Sequence, residues 1–319
     1  MTHTLSPCAP PLFLLGVRRS GTTLLRVMLD RSSTLAVPDE SYVIPQLAAR
    51  HRGAVDAEGF GDDLRRLPRL RELGIDPGAV VARLRPAMSP GEAISAVFEA
   101  YAEARGKTRW GDKTPLYMQH LPLVERLFPG ALFVHLIRDG RDAALSYLSV
   151  PAGLMTVSWG HPRDAAGFAC QWASEVSAAE RLATRVGASR FLELRYEDLV
   201  REPQPALERV CAFAGLAFEA AMLGYVGQVD LSGKPHQTRL NQPPTPGVRD
   251  WRAQMSTEDA ASFDAVAGDV LRRHGYEAGP VTTAGWARLA RYRVQTSAWR
   301  LTATMVQRSP LWRRRHPVS

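Results

Sequence analysis

The stretch GVRRSGTT, residues 16–23, has the residue types and the spacing of a phosphate-binding turn. Its two glycines follow the pattern G-x4-G, and Arg19, Ser20, Thr22 and Thr23 supply one positive charge and three hydroxyl donors. Backbone N–H groups in such a turn, next to the N-terminus of a helix, favour an anion. A nucleoside triphosphatase has lysine where this chain has Thr22. The stretch therefore predicts a phosphate site that lacks the usual lysine.

The segments on either side of this turn support the prediction. PLFLLGV, residues 11–17, is a short apolar run that indicates a buried strand, and TTLLRVMLD, from residue 22, is typical of a helix start. A strand, a glycine-bounded turn and a helix in that order are the context in which this motif binds phosphate.

Further apolar runs alternate with helical patterns along the chain. ALFVHLI at 131–137 and RFLELRY at 190–196 predict two more strands. Ser89 and Glu92 form a capping box that opens a helix to about Arg105. Other predicted helices lie in most of 41–105, after 138, and at 164–186, 203–214 and 257–274; 233–247 should be a loop. We expect an α/β chain: a P-loop-like, three-layer fold with a short central parallel sheet flanked by helices.

The charge of +8 lies in the C-terminal segment. After Glu277 there are eight arginines and no acidic residue, which leaves 32 basic and 32 acidic residues before it. We expect one domain over 1–277 and a basic helical extension over 278–319. Its apolar stripe of Ala290, Val294, Ala298, Leu301 and Met305 is typical of a helix on the domain. The alternative is peripheral contact with a membrane surface.

The composition favours a cytoplasmic enzyme that does not bind nucleic acid. Cys8, Cys170 and Cys211 form no disulfide framework or metal spacing. The apolar run at 11–17 is too short to span a membrane or to form a good signal core. The neutral body of the chain shows no nucleic-acid recognition motif.

The chemistry at the turn is not that of an ATPase. Magnesium and the loop lysine neutralise the charge that develops on a transferred phosphoryl group. Here the strand at 131–137 ends in Arg138, and no acidic metal partner is evident. A sulfuryl group carries less negative charge, so side-chain cations and hydroxyls can serve its transfer without a metal.

Four stretches in order resemble sulfotransferases that use 3′-phosphoadenosine 5′-phosphosulfate (PAPS), over about residues 11–277. They are GVRRSGTTLLR, FVHLIRDGRDAALSYL, LELRYEDLVREPQPALERVCAFAGL and PPTPGVRDWRAQMS. The segments VPDESYVIPQLAA and WGDKTPLYMQHLPLVERLFPGALFVHLIRDGR are most similar to the tyrosylprotein branch and its bacterial relatives.

The resemblance implies a role for each of several residues. Arg19, Ser20, Gly21, Thr22 and Thr23 would bind the 5′-phosphosulfate. Arg138 and Ser146 would bind the 3′-phosphate, and Tyr196 would lie near the adenine. Glu40 would be the general base, a carboxylate with a raised pKa, while Lys113 and Arg19 would stabilise the leaving group. Gly247 and Arg249 would close over the nucleotide.

Several alternatives stay open from the sequence alone. Asp39 is a rival for the role of base. A magnesium-dependent small-molecule kinase and a non-catalytic nucleotide-binding protein are the alternative functions. The acceptor is a hydroxyl compound of unknown class, and residues 41–105 and 150–165 are expected to shape its pocket.

Overall fold

Five parallel strands form the centre of the fold in the order β2–β3–β1–β4–β5. The computed structural model describes residues 9–150, 162–227, 240–245 and 247–308. The strands are β1 Leu12–Leu15, β2 Leu35–Ala36, β3 Arg109–Asp112, β4 Leu132–Ile137 and β5 Phe191–Arg195. Because all neighbours are parallel, the carboxyl ends of the five strands meet at one edge of the sheet.

Helices connect the strands and cover both faces of the sheet. Within the described residues they are α1 Thr22–Leu29, α2 Val43–Arg50, α3 Ala57–Arg66, α4 Pro68–Glu72, α5 Pro77–Val81, α6 Pro90–Glu103, α7 Leu121–Leu127, α8 Gly140–Leu148, α9 Ala165–Val186, α10 Tyr196–Arg201, α11 Pro203–Ala214, α12 Trp251–Gln254, α13 Thr257–Arg273 and α14 Thr283–Arg308. The capping box predicted at Ser89 and Glu92 is present at the start of α6.

Two hydrophobic clusters, one on each face of the sheet, make the three layers. Along β1, Phe13 and Leu15 belong to one cluster and Leu12 and Leu14 to the other, as the alternation of side chains in a strand requires. Helices α6, α9 and α13 contribute to the first cluster, whereas α1 and α11 contribute to the second. The predicted α/β, three-layer fold with a central parallel sheet is confirmed.

The sequence predicted only the three apolar strands and missed β2 and β3. β2 has two residues, and β3 is RWGD, whose charged ends break any apolar run. Both charged residues are buried because they have polar partners: Arg109 donates its Nε–H to the Pro10 carbonyl at 2.9 Å, and Asp112 accepts from hydroxyl groups. Charged residues that are buried with polar partners are invisible to a hydrophobic pattern.

The C-terminal helix α14 packs on the domain through a different face from the predicted one. Leu289 is buried, whereas Val294 and Ala298 of the predicted stripe are exposed. Gly285 sets the rotation of the helix, because a Cβ there would lie 1.9 Å from the Ala265 carbonyl of α13. The side chains of Leu301 and Met305, and most of the predicted loop at 233–247, lie outside the described residues.

No helix among the described residues has both the length and the apolar character that crossing a bilayer requires.

Candidate active site

Most residues predicted for the site lie just beyond the carboxyl end of a strand, and Ser146 lies in helix α8, which follows β4. The phosphate turn follows β1, Glu40 follows β2, Lys113 follows β3, Arg138 follows β4 and Tyr196 follows β5. Parallel α/β sheets bind their ligands at this edge. The sheet therefore brings together side chains that are far apart in the sequence.

The turn after β1 has the backbone of an anion site. Arg19 and Gly21 have φ values of 71° and 89°, in the left-handed region, and Gly21 begins α1 without a side-chain cap. A Cβ at Gly21 would lie 2.3 Å from the ring of Tyr196, so this position requires glycine. The hydroxyl of Ser20 is buried and has no hydrogen-bond partner within the described residues. Such an orphaned donor fits a turn whose partner is an anionic ligand.

Arg138, Ser146 and Tyr196 converge on Arg19 beside this turn. The Arg19 Nε–H donates to the Ser146 hydroxyl at 3.0 Å, and the Arg138 Nη1–H donates to the Arg19 carbonyl at 3.2 Å. The Arg138 guanidinium lies 4.4 Å from the Tyr196 ring centroid. The Nε of Arg138 is buried and has no partner among the described residues.

Positive charge is concentrated here without a matching number of carboxylates. Burial lowers the pKa of Arg19, and the neighbouring charges of Arg138 and Arg249 lower it further. The Nη2 of Arg138 reaches a carboxylate only at 4.0 Å, in Asp142. A bound anion would relieve this repulsion, so the electrostatics agree with a phosphate site.

Lys113 connects the phosphate turn to Glu40. Its side chain is fully buried, and its Nζ donates to the Thr23 hydroxyl at 3.2 Å and to Glu40 Oε1 at 2.6 Å. Burial lowers the pKa of this ammonium, while Glu40 opposes that shift. One cation thus contacts both the anion-binding turn and a partly exposed carboxylate.

The sequence-based expectation of a raised pKa at Glu40 is wrong for this state of the protein. Burial alone would raise the pKa of the carboxyl group, but the charge and hydrogen bond of Lys113 and the hydroxyl of Tyr42 lower it further than burial raises it. Glu40 is therefore ionised at neutral pH, as a general base has to be before it accepts a proton.

Asp39 and Glu40 differ in what they contact. The Asp39 carboxylate forms an ion pair with the Arg69 guanidinium at 3.2 Å. Arg69 also donates its Nε–H to the Glu40 carbonyl at 2.5 Å, which fixes the backbone between the two acids. Glu40 contacts Lys113, which also contacts Thr23 of the phosphate turn, so the geometry favours Glu40 as the acid that faces the turn.

Asp112 fixes the segment that carries Glu40, a role that the sequence did not reveal. Its buried carboxylate accepts from the hydroxyls of Ser41 at 2.7 Å, Tyr117 at 2.8 Å and Thr114 at 3.2 Å. The Ser41 N–H donates to Thr114 at 3.1 Å. Burial raises the pKa of Asp112 to about 6, although these three hydroxyls oppose the shift. The signal available beforehand was only the position of Asp112 next to Lys113.

The segment before α12 is attached beside the same site. Arg249 donates to the Ser149 hydroxyl at 3.0 Å and lies close enough to Arg19 to affect its pKa. The Trp251 N–H donates to Asp142 at 2.8 Å, and the Trp251 ring stacks on the Arg141 guanidinium at 3.6 Å. Gly247 has φ 73°, in the left-handed region, and a Cβ added there would meet no described atom within 4 Å.

No group of three or more histidine, cysteine, aspartate or glutamate side chains that could hold a metal ion occurs in the described ranges.

Comparison with known proteins identifies the class of this fold and site. The chain superposes on the sulfotransferase domain from the curacin biosynthetic pathway with a TM-score of 0.56 and 21% sequence identity, covering 86% of this chain and 100% of that domain. It therefore has the fold of a sulfotransferase.

A family model described as the sulfotransferase family matches residues 10–220. The chain belongs to this family. It is similar to protein-tyrosine sulfotransferase 2 of Gallus gallus, with 26% identity over 234 residues. The match covers 73% of this chain but only 57% of the length of that relative. It is also similar to nodulation protein NoeE of Sinorhizobium fredii, with 28% identity over 300 residues, 87% of this chain and 68% of the relative.

Proposed function

We propose that this chain transfers the sulfuryl group of PAPS to an acceptor hydroxyl and releases adenosine 3′,5′-bisphosphate (PAP). The observation that carries the proposal is Lys113, whose buried ammonium contacts Thr23 of the phosphate turn and Glu40 together. A cation between an anion site and a carboxylate base can stabilise the charge on the leaving group while the base accepts the acceptor proton, which suits in-line displacement of a sulfuryl group.

The donor would lie across the carboxyl ends of β1, β4 and β5. Residues 19–23 would hold the 5′-phosphosulfate, and Arg138 with Ser146 would hold the 3′-phosphate, with the Tyr196 ring near the adenine. The Ser20 hydroxyl and Arg138 Nε fit this assignment, because both are buried donors without a hydrogen-bond partner among the described residues. The repulsion between Arg19 and Arg138 also fits a ligand with two anionic ends.

Glu40 would take the proton of the acceptor hydroxyl as that oxygen attacks sulfur. The bond from sulfur to the bridging oxygen breaks, and the charge on the departing PAP is stabilised by Lys113 and Arg19. When Lys113 turns toward that oxygen, Glu40 loses its counter-charge while its burial remains. Its pKa then rises, so it holds the proton better at the moment the proton arrives.

The acceptor is proposed only as a hydroxyl compound. The names of the relatives specify a protein tyrosine in one case and a nodulation protein in another. We propose a cytoplasmic location and no resident metal. Peripheral membrane contact by the extension at 278–319 stays a proposal that no described contact supports.

Exchange of the base tests the proposal. In Glu40→Gln the carboxamide cannot accept the proton, so we expect PAP release from PAPS, with a panel of phenolic and alcoholic acceptors, to fall by about 10²–10⁴-fold. Stabilisation by PAP in a thermal shift should persist, since Glu40 touches the donor only through Lys113.

The matched control is Asp39→Asn, which removes the neighbouring carboxylate that binds Arg69. It should keep most of the turnover. Full turnover in Glu40→Gln together with loss in Asp39→Asn would reverse the assignment of the base.

A further inference from the structure

A tyrosine of the protein itself is hydrogen-bonded to Glu40, the carboxylate that is proposed to activate the acceptor. The hydroxyl of Tyr42 donates a hydrogen bond to Glu40 Oε2, while Lys113 contacts the other oxygen, Oε1. A hydroxyl on the free oxygen of the base is the arrangement that an acceptor must adopt before its proton is removed.

The backbone holds the Tyr42 ring in this place. Tyr42 has φ 58° and ψ 2°, a left-handed conformation that costs free energy for any residue with a Cβ. The preceding Ser41 is fixed on both sides, by its hydroxyl on Asp112 and by its N–H on Thr114. Because Ser41 cannot move freely, the strained conformation persists, and Tyr42 is turned back toward Glu40 two residues earlier.

The protonation and exposure of the Tyr42 phenol suit a sulfuryl acceptor better than a residue that only packs in the core. Burial and the adjacent charge of Glu40 raise the pKa of Tyr42, so the phenol is protonated at neutral pH and needs a base to react. Its side chain is nevertheless 37% exposed, so the ring is not enclosed in the core. Tyr117 and Tyr147, by contrast, are both almost completely buried.

The donor turn lies within reach of the same carboxylate. Lys113 Nζ is 2.6 Å from Glu40 Oε1 and 3.2 Å from the Thr23 hydroxyl, so one ammonium group separates the base from the proposed phosphosulfate site. The phenol on Glu40 Oε2 is therefore the protein hydroxyl that already has both a base and a neighbouring donor site.

We propose that Tyr42 is a self-sulfation site, an internal phenolic acceptor for this enzyme's own donor. The Tyr42 oxygen forms the new bond to sulfur, its proton passes to Glu40, and the bond between sulfur and the bridging oxygen of PAPS breaks. The products are tyrosine O-sulfate at residue 42 and PAP. The inference rests on the proposed function, because it uses the same donor and the same base.

The test needs no external acceptor. Purified full-length protein is incubated with PAPS, and its intact mass and the tryptic peptide 32–50, in which Tyr42 is the only tyrosine, are measured by mass spectrometry. We expect the gain of one sulfuryl group on that peptide. We also expect the fraction modified over time to be independent of protein concentration, because the phenol and the donor belong to one molecule.

Two matched variants sharpen the test. The Tyr42→Phe variant should lose the modification but should still be stabilised by PAP in a thermal shift. The Tyr147→Phe variant, which alters a tyrosine of α8, should keep the modification. No mass gain in protein that PAP stabilises would overturn the inference and leave the proposed function standing. A gain that persists in Tyr42→Phe would also overturn it, and failure of PAP to stabilise the wild type would overturn both.

Discussion

Lys113 holds its charge where solvent does not reach it, and this determines how Glu40 titrates. Burial raises the pKa of the Glu40 carboxyl, but the charge and hydrogen bond of Lys113, together with the hydrogen bond of Tyr42, lower it by more. The two residues therefore act as a unit, and a substitution at one is expected to change the titration of the other.

We predict that Lys113→Met reduces PAP release by at least about 10²-fold, because the leaving group loses its cation. The acid limb of the pH profile of kcat/KM should also move to higher pH. In the wild type Glu40 stays ionised until the pH falls below its lowered pKa; without Lys113 the burial contribution remains, and the carboxyl is protonated at higher pH.

The control for this prediction is Lys107→Met, which removes a lysine that binds Asp30 and the Leu35 carbonyl at the start of β2. It should lower stability without moving the acid limb. An acid limb at the same pH in Lys113→Met and wild type would show that Lys113 does not set the titration of Glu40.

The residues of the site were more predictable than their interactions. Arg19 and Arg138 could be assigned because each follows a predicted strand, whereas Lys113 was assigned only from the resemblance, since β3 was not predicted. The hydrogen bond from Arg19 to Ser146 could not be predicted, since the two residues are 127 positions apart and belong to separate motifs. The hydroxyl of Tyr42 on Glu40 depends on a left-handed residue that no local pattern indicates.

At the scale of elements, a partly buried ionic cluster joins β4, β5, α9 and the C-terminal end of α13. Glu193 of β5 accepts from His135 and His274, and His274 also contacts Glu180 of α9 at 3.0 Å. Burial lowers the pKa of His274, but the hydrogen bonds and charges of Glu180 and Glu193 raise it to about 9. The imidazolium therefore stabilises the fold at neutral pH.

This raised pKa gives a pH-dependent contribution to the free energy of unfolding. It is complete below the ordinary histidine pKa of about 6.5 and is lost as the pH rises through about 9. We predict that His274→Gln lowers the free energy of unfolding by on the order of 1–3 kcal/mol at pH 6.5 and by much less at pH 10. Urea unfolding at the two pH values measures the difference.

Arg273→Gln is the matched control, because Arg273 binds the same Glu180 but stays charged at pH 10. Its effect on stability should be nearly the same at both pH values. An equally constant effect in His274→Gln would contradict the role of the histidine charge.

The elements that the sequence could predict are those with a periodic apolar pattern. Strands β1, β4 and β5 and helices such as α9 and α13 bury continuous apolar faces, so hydrophobicity alone locates them. Strand β3 is stabilised by buried partners of Arg109 and Asp112 that come from distant parts of the chain. Tertiary contacts of this kind determine whether a short polar segment forms a strand, and they leave no signal in the local sequence.

At the scale of the molecule, one sheet edge brings most of the predicted site residues together, and the basic extension packs on helices of the domain. Helix α14 contacts α2, α9 and α13 and leaves Trp286 and Val294 exposed. Arg288 of this helix pairs with Asp164 at 3.0 Å, just before the start of α9. The predicted boundary at residue 277 stays a prediction, although Thr282 already bonds to the Ala265 carbonyl.

The fold was predictable from the apolar strands and the motifs, and the same motifs predict the donor half of the proposed site. The acceptor half was not predictable, because the residues expected to shape it carry no shared motif. Part of that region, 151–161, lies outside the described residues. The identity of the acceptor therefore depends on chemistry that the donor motifs do not encode.

The measurement that tests the central claim most directly is a thermal-shift series with PAP, AMP, and ATP with Mg²⁺ on wild type, Arg138→Ala and Arg195→Ala. Arg195 ends the neighbouring strand β5 and stacks on Tyr276, so it is the control for loss of an arginine at a strand end. We predict that PAP at a hundredfold excess over its Kd raises the free energy of unfolding of the wild type by about 2.7 kcal/mol. The same concentration of AMP should stabilise the wild type much less.

Arg138→Ala should lose the advantage of PAP over AMP, because the 3′-phosphate loses its guanidinium, and Arg195→Ala should keep it. Stabilisation by ATP with Mg²⁺ alone would contradict the account and favour a kinase.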